Sequence, residues 1–150
     1  MRTVFIAMLL LAACSGSAQS ETRYDLYIFG ARDGGPQIYA FSGGDAAAAV
    51  EVRGCGDVRL LPDATAVVSD LSARRHAPGI SVVTIESRGS RVELGGCGSE
   101  DEGDEDGVND EDSLVVIENA SARQMRRIVQ SLDAAPSDVR GEIIATLGLG

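Results

Sequence analysis

The chain has 150 residues with 13 basic and 23 acidic side chains, which give a formal net charge of −10. This length fits one domain, and a hydrophobic fraction of 44% argues against general disorder. The acidity disfavours nucleic-acid partners, because phosphate backbones would be repelled. Nine of the acidic residues lie within 100–112, and 14 remain elsewhere against the 13 basic ones. The negative charge is therefore concentrated in one segment.

The N-terminal residues predict a secretory signal. An apolar run from Val4 to Leu11 follows Arg2, and it is shorter than the about 20 apolar residues of a membrane-spanning helix. The run ends in Leu11-Ala12-Ala13-Cys14, which resembles the lipobox of bacterial lipoproteins at all four positions. The resemblance implies a signal peptide at 1–13, acylation of Cys14 and a linker at 14–23.

The residue after Cys14 bears on the destination of the chain. An Asp there would resemble the inner-membrane retention signal of the lipoprotein family, and this chain has Ser15. The resemblance therefore implies a lipid anchor in the outer membrane, with the protein facing the periplasm. The alternative is ordinary signal cleavage after Ala18, where Gly16 and Ala18 supply small residues.

Two further cysteines favour a disulfide. Cys55 and Cys97 each lie in a Gly-Cys-Gly tripeptide, and neither has a CxxC partner, so a redox motif or zinc site is disfavoured. A Cys55–Cys97 bridge closes a loop of 43 residues, counting both cysteines. The chain-entropy argument gives about 4 kcal/mol for such a loop, as an upper figure.

The two tripeptides belong to a longer internal match. Residues 50–57 and 92–99 are identical at five of eight positions. Farther along, an apolar run and Asx-Ala-Thr/Ser-Ala at 60–66 match 116–122. The alternative is chance matching in a chain rich in Ala and Gly.

This match predicts an internal duplication within a single periplasmic domain at 24–150. Each unit would be a ββ-Gly-Cys-Gly-β-α arrangement, with repeat 1 at about 37–75 and repeat 2 at about 79–133. The acidic segment, residues 99–112, is then an insertion that is present in the second copy and absent from the first.

Hydrophobic periodicity predicts strands and helices along the chain. The predicted strands are 24–29, 37–41, 48–53, 57–61, 80–86, 91–94 and 114–117. The predicted helices are 66–74, for which a strand is the alternative, 121–133, and a C-terminal helix at 136–147.

Several residues fit the ends of these helices. Thr65 and Ser121 are expected N-caps, with Ser121 and Gln124 in a capping-box pattern. Gly148 is the expected C-cap, with Leu149 packing back. The fold class expected is α+β, with an antiparallel sheet of six or seven short strands, two or three helices and one disulfide.

The acidic segment contains alternating carboxylates followed by glycine, Asp104-Glu105-Asp106-Gly107. Residues 102–112 resemble a single thrombospondin type 3-like calcium repeat, and Ca²⁺ prefers six to eight hard oxygen ligands. The resemblance implies that Ca²⁺ is bound by the side chains of Glu102, Asp104, Asp106 and Asp110 and by the carbonyl of Val108. The twelfth position of the loop is Ser113 rather than a bidentate Glu, so we expect weak affinity, roughly 10⁻⁴–10⁻³ M. The alternative is a solvated, self-repelling loop.

Three arginines share one side of the predicted helix 121–133. Arg123, Arg126 and Arg127 lie opposite its apolar positions. Three interpretations remain open: a solvated helix surface, pairing with the acidic segment, or contact with the phosphates of lipid headgroups or lipopolysaccharide.

Enzyme signatures are absent from the sequence. It contains one His and lacks a nucleophile elbow, an HExxH motif and a phosphate loop. Glu51 and Glu93 are equivalent across the repeat, but outward-facing strand residues explain them better than a carboxylate site does.

We therefore expect a non-enzymatic envelope lipoprotein that binds an unidentified envelope protein or component, with Ca²⁺ as a candidate cofactor. The membrane is reached through the lipid anchor, and no nucleic-acid partner is expected. The alternatives are a structural lipoprotein with a solvated acidic loop and a small periplasmic enzyme with a carboxylate site.

Overall fold

The computed structural model describes residues 21–31, 35–54, 56–85, 111–132 and 135–150. Six strands and three helices occupy these ranges. In chain order they are β1 (Tyr24–Gly30), β2 (Gln37–Gly43), β3 (Ala46–Arg53), β4 (Asp57–Leu60), α1 (Ala64–Arg74), β5 (Ile80–Thr84), β6 (Asp112–Ala120), α2 (Ala122–Gln130) and α3 (Ser137–Leu147).

The six strands form one sheet in the order β4-β3-β2-β1-β6-β5. Neighbours pair antiparallel except β5 and β6, which are parallel from Ile80 opposite Asp112 to Thr84 opposite Val116. The expected α+β class, with six strands and three helices, is confirmed, but the sheet is mixed rather than antiparallel. Parallel neighbours require a crossover of a dozen or more residues, and 27 residues separate Thr84 from Asp112.

The sheet is covered by helices on both faces. On one, the two-helix face, α2 and α3 pack over a large apolar cluster that includes Leu26, Tyr39, Phe41 and Ile117. On the other, the single-helix face, α1 packs through Leu71 over a smaller cluster that includes Tyr27, Phe29, Leu114 and Val116. Strand residues alternate between the two clusters, as the two-residue period of a strand requires.

A bulge near the end of β6 determines which face α2 occupies. Between the Leu26–Ile117 and Tyr24–Ala120 pairs, β6 has two residues, Glu118 and Asn119, where β1 has only Asp25. Asn119 has a φ of 58°, and its backbone N–H donates to Asp25 Oδ1 at 2.8 Å. The extra residue reverses the alternation, so Ala120 joins the two-helix face. The chain therefore enters α2 on the face opposite α1.

The two predicted repeat units do not occupy equivalent places among the described strands. In the first unit, β3 lies between β2 and β4, whereas β5 and β6 of the second unit pair directly. The helix of each unit also packs on a different face, α1 on one and α2 on the other. The predicted strand 91–94 of the second unit lies outside the described residues, so the duplication stays a prediction.

The helix ends follow local capping chemistry. The side chain of Ser121 accepts from the backbone of Gln124, whose own side chain accepts from Ser121, so the predicted capping box is confirmed. At α3, Gly148 has a φ of 64°, and Leu149 donates to the carbonyl of Ile144 as expected. At α1 the prediction of Thr65 was wrong. Asp63 is the N-cap, because its carboxylate reaches the N–H of Ala66.

Candidate functional site

The site residues inferred from the sequence all lie outside the described residues. They are Cys14, Cys55, Cys97, Glu102, Asp104, Asp106, Val108 and Asp110. The predicted strand 91–94 also lies there. Lipidation, the disulfide and the calcium site therefore stay predictions.

The described residues bring together a polar group that we call the Glu118 cluster: Tyr27, Ser72, Arg75 and Glu118. The Tyr27 hydroxyl donates to Glu118 Oε1 at 2.6 Å, and Arg75 Nη2 donates to the same oxygen at 2.6 Å. The Ser72 hydroxyl also hydrogen-bonds to Tyr27. The cluster connects β1, β6 and the C-terminal end of α1.

Strand and helix geometry account for this meeting. Tyr27 pairs with Val116, and Glu118 lies two residues farther along β6, so both side chains face α1. Ser72 and Arg75 lie three residues apart at the end of α1, a spacing that puts them on the same side of a helix. The bulge at Asn119 begins directly after Glu118.

The two acidic groups of the cluster hold opposite protonation states. Burial raises the pKa of Tyr27 to about 12, with a further contribution from the Glu118 carboxylate. The hydrogen bond from Tyr27 lowers the pKa of Glu118, and Arg75 adds to this effect. At neutral pH Tyr27 is thus a neutral donor and Glu118 is ionised.

Neighbouring cations extend the cluster toward solvent. The guanidinium of Arg74 lies 4.9 Å from the ring centroid of Phe29 and pairs with Asp70 at 3.0 Å. The Nε atom of Arg75 is buried and has no hydrogen-bond partner within the part of the chain that the structure describes. The side of α1 near its C-terminus therefore carries two arginines, and each already has one acidic partner.

The properties of Tyr27 and Glu118 fit a structural role better than a catalytic one. A general acid or base works most effectively with a pKa near the working pH, and both shifts move away from neutrality. The other carboxylate considered for catalysis, Glu51, accepts from Arg53 Nε at 2.5 Å on the same strand. Its suggested partner, Glu93, lies outside the described residues.

Apolar side chains are exposed at both edges of the sheet. Val82 and Val83 on β5 are 36% and 53% exposed, and Leu60 on β4 is 61% exposed. The two edges differ in charge, because β4 carries Asp57 and Arg59 whereas β5 reads Ile-Ser-Val-Val-Thr. Charged residues on an edge strand discourage pairing with another chain. Among the described strands, the β5 edge therefore has the less protection by charge.

Within the described residues, no three His, Cys, Asp or Glu side chains are grouped so that they could hold a metal ion. None of the described helices is both long enough and apolar enough to cross a membrane. Comparison with known proteins found no matching family, no matching curated protein and no matching solved structure.

Sequence reasoning missed the Glu118 cluster. A signal was present, because Glu118 directly follows the apolar run 114–117 and Tyr27 lies within a predicted strand. The missing information was that β1 and β6 are neighbours although 91 positions separate the two residues. The contact between Arg75 and Glu118 likewise joins residues 43 positions apart, which no local pattern indicates.

Proposed function

We propose that this protein is a lipid-anchored envelope protein that acts as a non-enzymatic binding module. The observation that carries the proposal is the lipobox-like Leu11-Ala12-Ala13-Cys14 at the end of a short apolar run. The first described strand begins at Tyr24, so the proposed linker between Cys14 and this strand, residues 15–23, has nine residues. At about 3.5 Å per residue, this linker keeps the domain within about 30 Å of the bilayer.

A binding role is supported by two features of the described residues: the polar side chains considered for catalysis are already paired, and apolar side chains on β5 are exposed. Tyr27, Arg75 and Glu118 hold secondary-structure elements together, and Glu51 is occupied by Arg53. The exposed valines of β5 offer an apolar strand edge of the kind that proteins use for strand addition. A protein partner in the envelope fits this edge better than a small polar substrate does.

The proposed anchor is tested by incorporation of a labelled fatty acid in cells. We expect the wild-type chain to be labelled and to fractionate with membranes, and Cys14→Ser to lose the label. Ser17→Ala is the matched control, because it changes the same segment and leaves Cys14 in place. Equal labelling of Cys14→Ser and wild type would contradict the anchor.

The finer part of the proposal is that Ca²⁺ binds weakly to the acidic segment through Glu102, Asp104, Asp106, Asp110 and the carbonyl of Val108. The chain supplies β5 before this segment and β6 after it. Crosslinking in intact envelopes, with and without EDTA, tests both binding and metal. We expect a reproducible partner whose yield falls in EDTA. If EDTA leaves the set of crosslinked proteins unchanged, the proposed role of Ca²⁺ is contradicted. If no protein is crosslinked at all, the binding role is contradicted.

The proposed Cys55–Cys97 disulfide fits an oxidising compartment. Intact mass after alkylation, with and without prior reduction, tests the pairing. We expect no alkylation of these two cysteines without reduction, and two free thiols in material from the envelope would contradict the bridge.

A further inference from the structure

The exposed side of α2 carries three arginines, and the helix contains no acidic residue. Arg123, Arg126 and Arg127 are exposed, while Met125 and Ile128 on the opposite side are buried. Arg126 Nε donates to the carbonyl of Leu149 at 2.7 Å. Among the described residues, the side chains of Arg123 and Arg127 have neither an ion pair nor a hydrogen bond. A strongly acidic chain thus presents one locally cationic helix surface.

Helix stability does not account for this arrangement. Arg123 is the second residue of α2, and the first turn contains no acidic residue. A cation near the N-terminus of a helix is unfavourable, because the helix dipole places partial positive charge there. An external anion would be favoured by both the arginines and the dipole. The charge pattern therefore fits a negatively charged partner outside the described part of the chain.

The arginine surface lies where the N-terminal segment enters the fold. Tyr24, the first residue of β1, pairs with Ala120, and α2 begins two residues later at Ala122. At 1.5 Å per residue, Arg127 lies within about 10 Å of the start of the helix. The segment that leads back to Cys14 therefore reaches the domain beside this end of α2.

From this placement we propose that Arg123, Arg126 and Arg127 lie against the phosphate groups of an anionic lipid bilayer. The inference rests on the proposed lipid anchor at Cys14. The planar guanidinium group binds phosphate through two parallel hydrogen bonds. A few such contacts bind a free acidic domain poorly, but they suffice to orient a domain that a short linker already holds at the surface.

The proposal is tested with the mature, lipidated protein in vesicles of phosphatidylcholine alone or mixed equally with anionic phosphatidylglycerol. Flotation first establishes that the protein is anchored. Phenylglyoxal then modifies accessible arginines, and mass spectrometry gives a rate for each residue. Arg53 on β3 and Arg59 on β4 are internal references, because these strands lie three and four positions away from β6 in the sheet. The ratio of rates in the two lipid mixtures reports contact with the anionic surface.

We expect Arg123 and Arg127 to react about fivefold more slowly in anionic than in neutral vesicles, the factor that about 1 kcal/mol per cation gives. The rates of Arg53 and Arg59 should not differ between the vesicles. About 0.5 M salt should remove the protection, because it screens exposed charges. Equal rates in both vesicles would overturn this inference and leave the anchor intact. If Arg123 and Arg127 react more slowly than Arg53 and Arg59 in both kinds of vesicle, the inference is also overturned, because the arginines then have a partner within the chain. Protein that fails to float would contradict the anchor itself.

Discussion

The hydroxyl of Tyr27 donates a 2.6 Å hydrogen bond to the Glu118 carboxylate across the β1–β6 strand pair. Arg75 at the end of α1 donates to the same oxygen. These two hydrogen bonds connect the first strand, β1, with β6, which is distant in sequence, and with the helix α1 that packs over both strands. We expect this contact to contribute to the stability of the domain rather than to chemistry.

Replacing Tyr27 by Phe removes the hydrogen bond and retains the buried ring. We expect Tyr27→Phe to lower the free energy of unfolding by about 1 to 2 kcal/mol, in the low part of the range for a charged acceptor because the Glu118 side chain is 42% exposed. Tyr24→Phe is the matched control, since the Tyr24 hydroxyl makes no hydrogen bond within the described residues. Urea denaturation of both variants measures the difference, and equal losses would contradict the assigned role.

The raised pKa of Tyr27 predicts a loss of stability in alkali. The folded state holds the proton with a pKa of about 12, above the about 10 of an unfolded tyrosine. The associated stabilisation is present below pH 10 and declines as the pH rises toward 12. The difference in unfolding free energy between wild type and Tyr27→Phe should therefore shrink between about pH 10 and 12. A constant difference would show that Tyr27 does not titrate in this way.

The lowered pKa of Glu118 predicts the opposite behaviour in acid. Its stabilisation is present above the unfolded value of about 4.3 and is lost as the pH falls through the lower folded value. Glu118→Gln should be less stable than wild type at pH 7, and the difference should narrow as the pH falls below about 4.3 toward pH 3. Thermal unfolding at both pH values measures this convergence. A gap that persists undiminished at pH 3 would mean that the carboxylate charge is not what stabilises the cluster.

Two hydroxyl residues near helix starts should differ in importance. Ser121→Ala removes one half of the α2 capping box and should cost about 1 kcal/mol. Thr65→Ala should change the unfolding free energy by less than about 0.5 kcal/mol, because Asp63 rather than Thr65 caps α1. Chemical denaturation of the two single variants compares them directly. Comparable losses would indicate that Thr65 also caps its helix.

The β6 bulge should prefer glycine at its left-handed position. Asn119 has a φ of 58°, which glycine adopts without strain and a β-branched residue does not. Asn119→Gly should leave the melting temperature unchanged or raise it, and Asn119→Val should lower the unfolding free energy by about 1 kcal/mol or more. If both variants melted alike, the strained backbone at the bulge would have little energetic weight.

Local patterns predicted the elements well, and long-range pairing was harder to predict. The apolar run 114–117 predicted β6, and the Ser121–Gln124 pair predicted the start of α2. Both signals depend only on residues that are close together in the sequence. The parallel pairing of β5 with β6 depends on a crossover whose path no short pattern encodes. The bulge at Asn119 likewise changes which face α2 covers without altering the sequence period upstream.

The same difference between local and long-range information applies to the candidate site residues. Cys14 and the acidic segment were recognised from contiguous motifs, whereas the Glu118 cluster joins residues 43 and 91 positions apart. The direction in which Arg75 points follows from where α1 packs, and that was not predictable from its neighbours in the sequence. Contiguous motifs therefore produced the functional predictions, whereas the contacts of the Glu118 cluster follow from the fold.

The proposed membrane anchor is tested most directly by the identity and mass of the mature N-terminus, purified from the membrane fraction. Intact and peptide mass spectrometry should find Cys14 as the first residue, carrying a diacylglyceryl group on sulfur and an acyl group on nitrogen. A mature chain that begins at Gln19 and carries no lipid, as cleavage after Ala18 would produce, would contradict the proposed lipid anchor.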